Sequence, residues 1–308
     1  MRASRALHLA LCAVLLATIS TPSGAKVDSS RGHAFEFLRL SAEPVGRALA
    51  ASHLASVDGP AALAWNPAGL AEGGASAVLL AHASWAAGTA WEWGALSLRR
   101  GSSGLGLACG VLRSGTLEGY DADGRSTGSF SPQQAYASIG YGRAIGPAVS
   151  AGLTLEGLLS GDGRDAPDRG WALGGGILVH LGRTDLALAA LHWAPEFEQD
   201  GERYPLPGTL RAGASIALPG RTRLHAATDY LVGEGVSARL GGEWQATDGV
   251  AALAGARLGP AGEGVSVQPT AGFKIDHGRL CFAYGYQPAA GMEISHQLSL
   301  TCLLGPNR

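Results

Sequence analysis

From Ser76 to Leu304, apolar residues return at every second position, segment after segment. Val149, Ala151, Leu153 and Leu155 alternate with Ser150, Thr154 and Glu156. Val236, Ala238, Leu240 and Trp244 alternate with Ser237, Arg239, Glu243 and Gln245. Val267, Ala271, Phe273 and Ile275 oppose Gln268, Thr270, Lys274 and Asp276. Leu298 and Leu300 oppose Gln297, Ser299 and Thr301. Side chains of an extended chain point to opposite faces in turn, so each segment has an oily side and a polar side.

The rhythm divides into segments at 76–85, 89–100, 103–114, 131–144, 147–160, 168–182, 184–194, 208–218, 221–232, 235–247, 249–258, 265–277, 279–288 and 293–304. Turn-forming residues punctuate them: Asp121 to Gly124, Ser160 to Gly163, Pro219-Gly220, Gly233 to Gly235, Asp248-Gly249 and Gly259-Pro260. Most segments run for about 10 to 14 residues, whereas ordinary globular strands average five or six and a tilted membrane strand needs 9–11. Strands this long with an oily outer face would aggregate at open edges in water, and closure within lipid removes those edges. The expected fold is therefore all-β: a transmembrane antiparallel β-barrel of about 14 strands over residues 76–304. A soluble secreted β protein is the competing reading.

Composition agrees. The 308 residues include 47 Gly, 46% are hydrophobic, 16% are charged, and the net charge is −2. Disorder requires lower hydrophobicity and more net charge. With 23 Lys+Arg against 25 Asp+Glu there is no basic excess for a nucleic acid. Residues 1–25 are expected to be a signal peptide: Arg2 and Arg5, an apolar run from Ala6 to Ala17, and small residues ending Ser23-Gly24-Ala25. Nothing beyond Ala25 is long and apolar enough for a membrane helix.

The inner face is expected to be rich in small residues, as at Gly104, Gly106, Ala108 and Gly110, or Gly174 and Gly176, leaving room for another backbone. Glu156, Arg211, Asp229, Arg239, Glu243 and Lys274 lie on polar faces and form a candidate lumenal ion-pair network. Trp85, Trp91, Trp93, Trp171, Trp193 and Trp244, with Tyr136, Tyr141, Tyr230 and Tyr286, lie mostly near segment ends, where interfacial girdles belong. No catalytic set, metal site or cofactor motif emerges. The glycines from Gly104 to Gly110 follow strand alternation and lack the helix of a nucleotide loop. Asp162, Asp165 and Asp168 do not have calcium-loop spacing, and His180, His192 and His225 are too scattered for ligand pairs. No enzyme is expected.

Residues 26–75 break the alternation and are expected to form a plug inside the barrel. They begin Ala34-Phe35-Glu36-Phe37-Leu38, pass through small residues from Gly46 to Ala55 and the turn Val57-Asp58-Gly59, and close on Trp65-Asn66-Pro67-Ala68-Gly69-Leu70. Pro67 biases Asn66 toward an extended or turn conformation, the Asn66 side chain is suited to bonding nearby backbone, and Gly69 suits a tight turn. Trp65 is expected to anchor the segment against the wall.

This order of features resembles the N-terminal signature of the PorV/PorQ family of outer-membrane proteins. The Asn-Pro-Ala-Gly-Leu portion is also similar to FadL-type transporters of hydrophobic compounds, which have fourteen-stranded barrels with an N-terminal plug. The first resemblance implies an outer-membrane barrel that takes part in type IX secretion, with secretion subunits or exported cargo as partners besides lipid. The second implies a conduit in which a hydrophobic small molecule binds near the outer loops and leaves through the wall. The segment itself, with Asp58 and Trp65 to Leu70 as its motif, is expected to close or gate the lumen.

Overall fold

The computed structural model describes residues 33–84, 88–162, 167–199, 202–232, 235–261, 264–288 and 295–305. The expected signal peptide, and Trp85, Gly163, Asp165, Gly233 and Glu234 among the residues singled out above, lie outside these. Among the described residues eighteen strands follow one another: β1 (Ser76–Ser84), β2 (Ala90–Arg100), β3 (Ser103–Arg113), β4 (Leu117–Tyr120), β5 (Ser126–Phe130), β6 (Gln133–Ala144), β7 (Val149–Gly161), β8 (Asp168–Leu181), β9 (Thr184–Trp193), β10 (Phe197–Gln199), β11 (Glu202–Tyr204), β12 (Thr209–Leu218), β13 (Thr222–Leu231), β14 (Gly235–Thr247), β15 (Val250–Ala261), β16 (Gly264–His277), β17 (Leu280–Gln287) and β18 (Ser295–Leu304). All but β4, β5, β10 and β11 form a closed antiparallel barrel of fourteen strands. The seam joins the first and last wall strands: β1 pairs with β18 from Ser76↔Leu304 to Ser84↔His296.

The alternation sets which face is which. Ser150, Thr154 and Glu156 are buried inside, while Leu153, 71% exposed, and Leu155 stand outside. Leu80, Leu188, Leu240, Val267, Leu298 and Leu300 continue the outward greasy rows, and Ser237, Thr270, Gln297 and Ser299 the inward polar ones. An oily exterior around a polar and small-residue interior is the arrangement that hydrocarbon demands of a spanning sheet.

The two ends differ. One end turns tightly, as at Gly101, Gly182, Gly220 and Gly278, all with positive φ. The other carries longer connections, two of which form the hairpins β4–β5 and β10–β11. Those hairpins have no counterpart among the expected segments. The Asp121–Gly124 turn is the tip of the first; its Asp121 Oδ1 accepts from the N–H groups of Asp123 and Arg125 at 3.0 and 2.8 Å. The expected turn at Gly259-Pro260 is not formed. β15 continues through it, pairing Gly259 with Ser266 and Pro260 with Val265, so the turn comes later.

The aromatic girdle is only partly as expected. Trp171, Trp193 and Tyr230 are exposed toward the long-loop end, and Tyr141 and Trp244 toward the short-turn end. Trp91 and Trp93, at 1% and 2% exposure, point into the lumen instead. Leu98 faces outward on the same strand, and parity then sends Trp91, Trp93 and Ala95 inward.

Candidate functional site: the lumen and its inner segment

Residues 33–75 lie inside the barrel and wind along its wall. They enter at the long-loop end, where the Ala34 N–H donates to Pro205 O at 3.0 Å. Phe35 and Phe37 then join an aromatic cluster. Phe35 meets Phe197 edge-on at 5.0 Å, Phe37 lies 5.9 Å from Trp91, and Trp91 stacks on Tyr136 at 6.1 Å.

From there the path is a track of glycines on successive strands. A methyl group at Gly285 on β17 would collide with Pro44. One at Gly272 on β16 would meet Ala48, one at Gly255 on β15 would meet Leu49 and Ala50, and one at Gly241 on β14 would meet Ser52. Gly213 on β12 abuts Leu54, Gly176 on β8 abuts Asn66, and Gly152 on β7 abuts Pro67. Leu70 ends the path in a socket of four glycines, Gly104 and Gly106 on β3 with Gly140 and Gly142 on β6. The small inward residues thus admit a second backbone at contact distance.

The segment holds its own buried polar centre. Glu43, 1% exposed, precedes the helix Pro44–Ala48, and its carboxylate accepts from the Val45 and Gly46 N–H groups at 2.7 and 2.6 Å. It also accepts from Trp65 Nε1 at 3.0 Å, and His53 Nε2 lies 3.7 Å away. Burial raises the Glu43 pKa, opposed by those hydrogen bonds and by Arg47. Burial, with His225, Arg211 and Lys274 nearby, drives the His53 pKa down to about 3, so its ring is neutral. Arg47 is lowered to about 10 by burial, against the pull of Glu43, and its Nε donates to Gln297 Oε1 on the wall at 2.7 Å.

The Trp65 to Leu70 motif lies next to this centre. Trp65 braces the segment's own interior: it bonds Glu43, meets His53 edge-on at 5.3 Å, and takes only the Arg211 guanidinium, 5.2 Å from its ring, from the wall. The expected anchoring to the wall belongs instead to Asn66. Its Oδ1 caps the turn Pro67–Ala71 by accepting from Ala68 N–H at 3.1 Å, while Nδ2 donates to Leu54 O at 3.2 Å and to Ile177 O on β8 at 3.3 Å. Gly69 is not needed for turn geometry, since its φ is not positive. It is needed because a Cβ there would strike Val57 O. Asp58 is exposed and packs beside Gly73.

The six charged wall residues form three groups, not one network, because the inner segment runs between them. Arg239 Nε makes a short hydrogen bond to Asp229 Oδ2, and Arg211 Nε lies 3.6 Å from Asp229 Oδ1. Lys274 pairs with Glu243 at 2.6 Å, toward the short-turn end. Glu156 bonds His192 Nδ1 at 2.8 Å. His192 sits at a β-bulge where β9 places Leu191 and His192 opposite Gly174 alone, with φ of 58°. Sequence reasoning missed Glu43, Arg47, His53, Gln297 and His192. Only Glu43-Pro44 carried a signal, that of a capping acceptor before a first-turn proline.

A lumenal cavity of about 580 Å³ opens at the long-loop end, between Leu38-Arg39 of the segment and strands β12 to β16. Outside the wall, an apolar groove of about 430 Å³ runs over Gly175, Ile177, Leu188, Ala190, Leu210, Ala212 and Tyr230. Arg211 and Val236 border both spaces.

No protein-family model matches the chain, and no curated protein matches it in sequence. Solved structures do match its fold. The toluene transporter TbuX of Ralstonia pickettii aligns over 85% of this chain and 98% of its own, with a TM-score of 0.60 at 12% identity. A FadL homologue from Pseudomonas aeruginosa covers 86% and 99%, at 0.60 and 11%. The toluene transporter TodX of P. putida covers 86% and 99%, at 0.58 and 12%. The chain therefore shares the fold of the FadL-type outer-membrane barrels.

Proposed function

We propose that this chain is an outer-membrane channel for a hydrophobic small molecule, with residues 33–75 as its plug and the tightly turned end facing the periplasm. The observation that carries this reading is the thinness of the wall beside the β9 bulge. There the lumenal cavity and the lipid-facing groove share Arg211 and Val236, and the groove is lined by the small residues Gly175, Gly176, Ala189, Ala190 and Ala212. Small side chains at a bulge are where a sheet parts at least cost to packing. A molecule too oily to cross an aqueous pore has a route from the outer loops into the membrane at this point. The structural neighbours include a toluene transporter and a monoaromatic hydrocarbon channel, which supports the reading by analogy of fold.

Filling the groove tests it. Ala190→Trp and Ala212→Phe, on the lipid side and away from the segment, are expected to slow toluene entry into vesicles by about tenfold, a barrier increase of ~1.4 kcal/mol. Entry at the native rate in both folded variants overturns the reading.

The second reading is a type IX secretion-associated barrel of PorV/PorQ type. It is favoured by Trp65 to Leu70 alone. Secretion subunits or cargo retained on the full-length protein purified from its native membrane would establish it in place of the first.

A further inference from the structure

The lumenal cavity carries more charge than passage of a hydrocarbon requires. Arg39, Arg211, Arg239 and Arg257 line it, and Asp229 is the only carboxylate among its described lining residues. Arg39 is met by Glu36 at 2.9 Å. Arg211 and Arg239 must share Asp229, and the sharing is unequal. Arg239 takes Oδ2, while Arg211 Nε, 3.6 Å from Oδ1, has no hydrogen-bond acceptor and Oδ1 has no donor. Both guanidinium groups are largely withdrawn from water, with side chains 13% and 16% exposed. Two such cations against one carboxylate leave a positive field focused inside a low-dielectric cylinder. Ser237 and Gln268 add neutral hydrogen-bonding groups to the lining.

We infer that this cavity is a binding site for a compact, multiply charged oxyanion of the organic phosphate or polycarboxylate class. Planar guanidinium forks match the oxygens of such groups in pairs, and several converging forks favour an anion with more than one charged end. The site adjoins the proposed route for an oily cargo at Arg211 and Val236 and takes a different ligand. Its ligand touches Arg39 on the inner segment and the wall arginines together, so binding fastens the segment to β12–β15.

Titration calorimetry of the full chain in neutral detergent at low salt tests this, with pyrophosphate and citrate as probes. Saturable one-site binding is expected. Arg239→Gln and Arg257→Gln should each weaken it about tenfold, while Arg239→Lys should retain part of it and Arg99→Gln, at the opposite end, all of it. Heat-modifiable gel migration shows which variants are folded. Failure of both probes to bind overturns the inference, as does undiminished binding by folded Arg239→Gln and Arg257→Gln. Tighter binding of octanoate than of either probe also overturns it, because the arginines would then receive the head of an amphipathic cargo. Anion binding is measured without toluene and toluene entry without either anion, so the two readings fail separately.

Discussion

The Asn66 side chain satisfies three groups from a position with no access to water. Its amide caps one turn of the segment, ties that turn to Leu54, and ties both to the β8 carbonyl of Ile177. Truncation leaves buried backbone groups without partners, each costing about 1–3 kcal/mol. Asn66→Ala combined with Trp65→Ala is accordingly expected to loosen the segment and raise single-channel conductance in planar bilayers. Asn66→Asp should do the same despite its equal size, because a carboxylate cannot donate to Leu54 O and Ile177 O. Conductance unchanged in both variants would mean that the segment does not close the pore. His53 supplies a pH dependence. Its pKa is about 3 when docked and near 6.5 when the segment is free, so below pH 6.5 the free form takes up a proton that the docked form excludes. Docking stability from this residue is complete above pH 6.5 and declines toward pH 3, by at most ~1.4 kcal/mol per unit. Glu43, with its pKa raised, works in the opposite direction. The comparison that isolates His53 is wild type against His53→Gln: between pH 7 and 4.5 the thermal midpoint of the wild type should fall further.

Among the secondary-structure elements, the wall strands and the inner segment fit through backbone contact more than through side-chain interdigitation. Gly104→Ala or Gly142→Ala would drive a methyl group into Leu70 and its neighbours, on backbone that cannot move without shifting the sheet. Each is expected to release the last turn of the segment and expose Pro67–Ala71 to proteolysis. Gly146→Ala and Gly157→Ala, with open space around the position, should change nothing. Equal protease resistance in all four would deny the track its role. The strands themselves were readable from period two, and most boundaries of the wall strands lie within about two residues of those expected. The inward turn of Trp91 and Trp93 was missed, because their place near a segment end was weighed above their parity with Leu98. The segment was readable only as a departure from that rhythm. Its Glu43–His53–Trp65 centre joins residues ten to twenty-two positions apart through a fold with no period. The hairpins β4–β5 and β10–β11 were missed because three to five residues are too few for alternation to register.

For the molecule as a whole, the exterior decides where it lives. Leu153 on β7 is 71% exposed and flanked by Leu155 and, across the sheet, by Gly175 and Tyr141. Leu153→Arg should cost about 2–4 kcal/mol if this face meets the middle of a bilayer, and little if it meets water. Guanidinium unfolding in lipid vesicles measures the difference. The seam carries a further consequence, for the order of assembly. β1 finds its second neighbour in β18, the last of the wall strands in chain order, and pairing at so long a sequence separation is expected to be the slowest contact of the wall to form. The residues that fit the glycine track precede the wall strands in the chain, yet the surface they fit is complete only once those two strands meet. Until then they must wait in the open mouth of an unfinished sheet, so the wall closes around its occupant, and no later threading is required.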